Sequence, residues 1–208
     1  MFALVNKLNN SIIKIYNGKK GITIGENQYP QSIFTLWSEA ERNAIDIYTI
    51  EEDNSKKKDE QWYTNTDVTY SFDGSKVTGS YGDATAKEHA DTKWTQSEID
   101  AGEAPEGADT NTVKDEGLKT ILIRQVKQQA EGQLNKTDWY VIRKADTDEA
   151  VPSAIATHRA AVRSKQASME TAITNASDTP ALETLYTYTK QEDGSVTRPL
   201  GQIPTLED

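Results

Sequence analysis

The chain has 208 residues, a net charge of −10 at neutral pH and no cysteine. The absence of cysteine excludes disulfides, thiolate catalysis and cysteine-ligated zinc, and the negative charge disfavours binding to nucleic acid. Hydrophobic residues make up 35% of the chain, whereas globular domains contain about 45–50% in a count that also includes glycine. We therefore expect a modest core with exposed segments, or a core that a partner completes.

The first third of the chain is predicted to be rich in β-strands. Ser38 precedes two glutamates and is predicted to cap one short helix between Phe34 and Ala44. Asp73-Gly74 lies between two β-rich runs in residues 61–81, a pattern typical of a hairpin. The other predicted strands are short apolar or β-branched runs, at Phe2–Val5, Ser11–Tyr16, Gly21–Gly25 and Ile45–Ile50.

Residues 83–113 differ in composition, because Ala, Asp, Glu, Thr and Gly dominate and Trp94 is the one large aromatic anchor. Burial of so few apolar groups would not offset the conformational entropy lost when the segment becomes ordered. We therefore interpret this segment as an acidic linker. A short turn of helix is predicted within it, at Thr95–Ala101.

From Val113 onward the hydrophobic period becomes helical. The first predicted helix has Leu118, Ile121, Leu122, Val126 and Ala130 on one face, and Gly132 is expected to fray its end. A second begins after a Thr137-Asp138 cap, a third has Pro152 in its first turn, and a fourth has Thr179 as cap and Pro180 at its first position. The inward stripe of the third helix is predicted to be Ile155, Val162, Met169, Ile173 and Ala176.

Strands and helices thus occur in separate blocks, which indicates an α+β fold. We expect a small N-terminal antiparallel β domain over residues 1–82 and the acidic linker over 83–113. A short helical bundle over 114–190 and an extended tail over 191–208 complete the predicted organisation.

Side chains suited to catalysis are scarce. The two histidines, His89 and His158, have no motif beside them that supplies a nucleophile or an orienting group, so we expect a solvated loop residue and a helix-surface or packing residue. No metal-loop or phosphate-loop spacing occurs, and carboxylates are abundant without a pattern. The sequence therefore predicts a protein that is not an enzyme and binds no cofactor or metal.

Residues 134–206 contain the segment that resembles a known family. Its parts are a Leu-x-x-Thr-Asp-Trp-Tyr-x-x-Arg stretch, read here from Leu134 to Arg143, and a proline-started helix from Pro152 to Arg163. Both resemble the helical end of bacteriophage tail assembly chaperone-like proteins. His158 occupies the position where the family has tyrosine, and Ile203-Pro204 stands in for its usual Trp-Pro pair.

This resemblance implies that the chain binds a phage tail or tail-fibre protein and assists its assembly or attachment. Trp139, Tyr140 and Arg143 are the candidate contact residues, because aromatic side chains and arginine dominate binding hot spots. Arg159 and Arg163, four residues apart, are expected to form a basic edge for an acidic partner. The alternative for Trp139 is that it packs its own helix against the neighbouring ones.

Two other functions stay open. The chain could be a permanent part of the virion, as an adaptor in the tail, fibre or baseplate, or more remotely an enzyme acting on glycans. We expect the protein in the host cytoplasm during assembly, with retention in the virion tail under the second reading. Self-association is compatible with either interaction role, whereas binding to nucleic acid is not expected. Insertion into a membrane is not expected either, because no segment approaches the ~20 apolar residues of a span.

Overall fold

The structure is a computed structural model that describes residues 1–206. The chain divides into two compact units, Met1–Thr85 and a second unit that begins at Ala86. The first unit is rich in strands and the second in helices, which confirms the predicted α+β class. The division after Thr85 places residues 86–113, interpreted above as a linker, inside the second unit.

A five-stranded sheet forms the centre of the first unit. In spatial order its strands are β2 Ser11–Tyr16, β1 Phe2–Asn6, β5 Ile47–Asp53, β8 Val77–Ser80 and β7 Thr69–Phe72. The β1–β2, β1–β5 and β7–β8 pairs are antiparallel as expected, but the β5–β8 pair is parallel. A parallel pair needs a crossover connection, and residues 54–76, which include β7, connect β5 to β8. The other strands of this unit are β3 Ile22–Ile24, β4 Asn27–Tyr29 and β6 Tyr63–Thr64, and β9 Thr85–Ala86 spans the boundary.

Two small hydrophobic clusters, one on each face of β1, form the core of this unit. Ala3 and Val5 belong to one cluster and Leu4 to the other, as the alternation of side chains along a strand requires. The second cluster includes Ile33 and Phe34 from a 3-10 helix at Gln31–Phe34. The core is therefore modest in size, in keeping with the low apolar content.

Local turn and cap chemistry follows the sequence closely in this unit. Helix α1 spans Glu39–Ala44, and Ser38 caps it in a reciprocal capping box with Glu41. The predicted hairpin is confirmed, since Phe72 pairs with Val77 and the Asp73 carboxylate accepts backbone hydrogen bonds from Ser75 and Lys76.

In the second unit, residues 86–113 are bonded to the helices that follow them. The carbonyls of Glu88 and His89 accept hydrogen bonds from the backbone N–H groups of the first two residues of helix α3, which spans Leu118–Asn135. These contacts occupy N–H groups that any helix leaves unpaired at its start. The predicted helical turn is confirmed as α2, Gln96–Asp100, which Thr95 caps.

The helices of this unit match the predicted positions, with changes at their ends. The predicted stripe of α5 is confirmed, because all five residues of that stripe are buried. Helix α3 continues through Gly132, and Asp178, rather than Thr179, caps α6 by accepting from Ala181 N–H. The remaining elements are β10 Thr92–Lys93, β11 Val113–Asp115, α3 Leu118–Asn135, α4 Asp138–Thr147, α5 Ser153–Asn175, α6 Thr179–Tyr186, β12 Thr189–Lys190 and β13 Val196–Thr197.

The tail beyond residue 190 is not wholly extended. Strands β12 and β13 form a hairpin around Asp193-Gly194, and the Leu200 N–H donates to the carbonyl of Leu185. Leu200 is buried, so the tail returns to α6 after the hairpin.

Candidate partner-binding surface on helix α4

Helix α4 displays its large apolar side chains to solvent. The exposed fraction is 60% for Trp139 and 64% for Ile142, and the helix buries none of its residues. Trp139, Tyr140, Ile142 and Arg143 fall within one side of the helix, since residues three and four apart are neighbours on its surface. We call these four residues the α4 surface.

Arg143 organises the polar part of the α4 surface. Its guanidinium carbon lies 5.7 Å from the ring centroid of Trp139 and 5.4 Å from that of Tyr140, within the range of cation–π attraction. One terminal nitrogen lies 3.2 Å from the Glu149 carboxylate. The arginine is thus held in place by two rings and one carboxylate, which leaves the aromatic side chains pre-arranged for a contact.

Trp139 does not hold the helices together in this structure. The alternative prediction made it a packing residue between α4 and its neighbours, but a side chain with more than half of its surface exposed cannot fill that role. Buried tryptophan in this chain has a different appearance, as Trp62 shows with an exposed fraction of 3%.

The predicted basic edge of Arg159 and Arg163 is wrong for Arg159. Its exposed fraction is 8%, and its Nη1 lies 2.8 Å from the Leu134 carbonyl oxygen, 2.7 Å from the Thr137 hydroxyl and 2.8 Å from an Asp138 carboxylate oxygen. The physical reason is the junction between α3 and α4, where a helix end leaves carbonyls unpaired that a cation can satisfy. Arg159 therefore positions the start of α4 and is not available to a partner.

On helix α5, His158 directly precedes Arg159 and Arg163 lies four residues after it. Arg163 is exposed and forms no hydrogen bond or ion pair with the described residues 1–206. His158 is buried, as a packing residue would be, and its Nε2 has no hydrogen-bond partner in the same part of the chain. His89 is half-buried in the segment before α3.

The structure reveals two positioning residues that sequence reasoning assigned differently. Thr137 was expected to cap α4, but its buried hydroxyl donates to the Leu134 carbonyl at 2.9 Å and accepts from Arg159. Asp138 begins the helix and forms the ion pair with Arg159. The sequence signal for this contact was an arginine, Arg159, on the helix that follows the Thr137-Asp138 pair. The pair lies more than twenty residues before Arg159, so sequence spacing alone does not connect them.

Within residues 1–206, no group of three histidine, aspartate or glutamate side chains is placed to hold a metal ion. No helix of the described chain has the length and apolar character needed to cross a membrane.

Comparison of the chain with family models, curated proteins and solved structures finds no match. The arrangement of α4 must therefore be interpreted from its own geometry and chemistry.

Proposed function

We propose that this chain is a non-enzymatic phage tail protein that binds a tail or tail-fibre component through the α4 surface and assists its assembly or attachment. The observation that carries the proposal is the exposure of Trp139 and Ile142 beside a stacked arginine. Exposed aromatic anchors next to arginine are typical of binding hot spots. The resemblance of residues 134–206 to tail assembly chaperone-like proteins supports the choice of partner.

The rigidity of the α4 base supports the same role. Arg159 connects α4 to the end of α3 by three short contacts, so the apolar face is presented on a fixed helix. A pre-organised face loses less conformational entropy when a partner binds. The acidic segments elsewhere in the chain keep it apart from nucleic acid, and host cytoplasm is the proposed place of assembly.

Co-expression tests the proposal. The tagged chain is produced with each tail and tail-fibre protein encoded near it, and the partner retained on the affinity resin is identified. We expect Trp139→Ser/Ile142→Ser to lose the partner and Leu36→Ser, which removes an exposed leucine from the first unit, to keep it. Circular dichroism checks that the double variant is folded, as surface changes of this kind cost about 0.5 kcal/mol or less each.

Retention of the same partner by the double variant would overturn the role of the α4 surface. Recovery of no tail or fibre protein would overturn the choice of partner. Mass spectrometry of purified particles then decides between the two interaction roles, because a transient chaperone is absent and a permanent adaptor is present in stoichiometric amount. Release of sugars from host surface glycans by the purified chain would overturn the non-enzymatic reading.

A further inference from the structure

A second feature of the helical unit lies between helix α3 and the returning tail. A cleft of about 430 Å³ opens there, lined mainly by carboxamides, one tyrosine and one arginine. Four carboxamides line it, Gln128, Gln129 and Gln133 from α3 and Gln202 from the tail, together with the side chains of Tyr188 and Arg198. Nothing in the proposed tail-protein interaction uses these residues.

Arg198 is fixed in this cleft with its terminal nitrogens unused. Its guanidinium carbon lies 5.0 Å from the Tyr186 ring centroid and 5.4 Å from that of Tyr188. Its Nε donates to the Gly201 carbonyl at 2.9 Å, in a turn where Gly201 has a φ of +70°. Nη1 and Nη2 form no hydrogen bond or ion pair with residues 1–206, so they remain available to a planar anion.

The rest of the lining suits hydroxyl groups. A carboxamide offers both donors and an acceptor, and a sugar hydroxyl is itself both donor and acceptor. The Gln133 oxygen already accepts from Lys136 Nζ at 3.1 Å, so Gln133 would contribute its N–H donors. No carboxylate lines the cleft, so Arg198 supplies its one charged group in a protein of net charge −10. Tyr188 is half exposed, and the part of its ring not covered by Arg198 can pack against the apolar side of a sugar ring.

We propose that this cleft binds an acidic saccharide. The sugar carboxylate would bind the terminal nitrogens of Arg198, and the ring hydroxyls would bind Gln129, Gln133 and Gln202. This binding site is independent of the α4 surface, so either proposal can fail without the other.

Ligand-observed NMR and calorimetry at low salt test the site with D-glucuronate and N-acetylneuraminate. We expect at least one of them to bind with a Kd of about 1 mM or below. D-glucose, which lacks the carboxylate, and acetate, which lacks the hydroxyls, should each bind at least about tenfold more weakly, since a charge-assisted fork and the amide contacts are both needed.

Two variants connect the binding to this cleft. Arg198→Gln removes the anion-binding fork, and Gly132→Leu places a side chain into the cleft from α3, where an added Cβ meets no atom within 4 Å. The second variant also replaces a helix-interior glycine, so it should preserve or raise the stability of α3. Each should weaken binding by about tenfold or more, whereas the exposed control Lys190→Gln on β12 should not.

The inference is overturned if neither acidic sugar binds in the millimolar range, or if Gly132→Leu leaves the affinity unchanged in a folded protein. Equal affinity for acetate, inorganic phosphate and D-glucuronate would also overturn it, because the site would then recognise any anion rather than a saccharide.

Discussion

Helices α4 and α5 follow each other in the second unit, yet they place their apolar side chains in opposite ways. Helix α5 turns Ile155, Val162, Met169 and Ile173 inward, while α4 leaves Trp139 and Ile142 in solvent. The difference teaches that the apolar stripe of α5 is completed by α3 within the same chain. Within residues 1–206 nothing covers the apolar side of α4 in this way, and this is the basis for the proposed contact with a partner.

The largest effect should come from the buried stripe. Ile173 is fully buried, so Ile173→Ala should lower the free energy of unfolding by about 2–5 kcal/mol through lost burial and a cavity. The matched change on the other helix, Ile142→Ala, should alter it by about 0.5 kcal/mol or less. Urea denaturation of both variants measures the contrast, and equal losses would mean that Ile142 is also buried in the free protein.

The second-largest effect should come from the Arg159 contacts at the junction of α3 and α4. Arg159→Leu leaves the Leu134 carbonyl and the Thr137 hydroxyl without their charged donor, so we expect a loss of about 2–3 kcal/mol. Amide hydrogen exchange should accelerate across α4 more than across α5, because Arg159 connects the start of α4 to the end of α3. Unchanged exchange in α4 would show that something else positions this helix.

A smaller effect should follow from Thr137→Val, which removes a buried hydroxyl of nearly the same shape. It donates to Leu134 and accepts from Arg159, so the expected loss is about 1–2 kcal/mol. In a double-mutant cycle with Arg159→Leu, the combined loss should be smaller than the sum of the single losses, since the residues share a network. If the two losses in unfolding free energy were strictly additive, the two residues would contribute independently and the shared network would be contradicted.

The smallest effect concerns the acidic segment that precedes both helices. The pKa of the Glu98 carboxyl is lowered from 4.5 to about 2. The main cause is its hydrogen bond with the Lys114 side chain, and the backbone N–H and hydroxyl of Thr95 add to the effect. A lowered folded-state pKa means that this contribution is present above about pH 4.5 and is lost as pH falls toward 2. The urea midpoint of wild type should therefore exceed that of Glu98→Gln at pH 6, and the two should converge near pH 2. A constant difference between these pH values would contradict the assignment.

Local chemistry in this chain was predictable from sequence and distant pairing was not. The Ser38 cap, the Asp73-Gly74 hairpin and the inward stripe of α5 depend on residues close together in the chain, and all three are confirmed. The parallel β5–β8 pair depends on a crossover that no local pattern specifies.

The same distinction holds for the candidate site. Trp139 and Arg143 were chosen together as candidate contact residues by their residue types, and the structure places the Arg143 guanidinium carbon 5.7 Å from the Trp139 ring centroid. The spacing of Arg159 and Arg163 indicated a shared edge, yet Arg159 is buried because its partners come from a junction more than twenty residues earlier. The attachment of residues 86–113 to α3 escaped prediction similarly, since it uses backbone carbonyls, which composition does not reveal.

Hydroxyl-radical footprinting of the tryptophans, read by mass spectrometry, tests the central claim most directly. In the free chain Trp139 should be oxidised rapidly and Trp62 slowly, in line with exposed fractions of 60% and 3%. In complex with its tail or tail-fibre partner, Trp139 should become protected several-fold while Trp62 stays unchanged. A stable complex in which Trp139 is oxidised as fast as in the free chain would contradict the account.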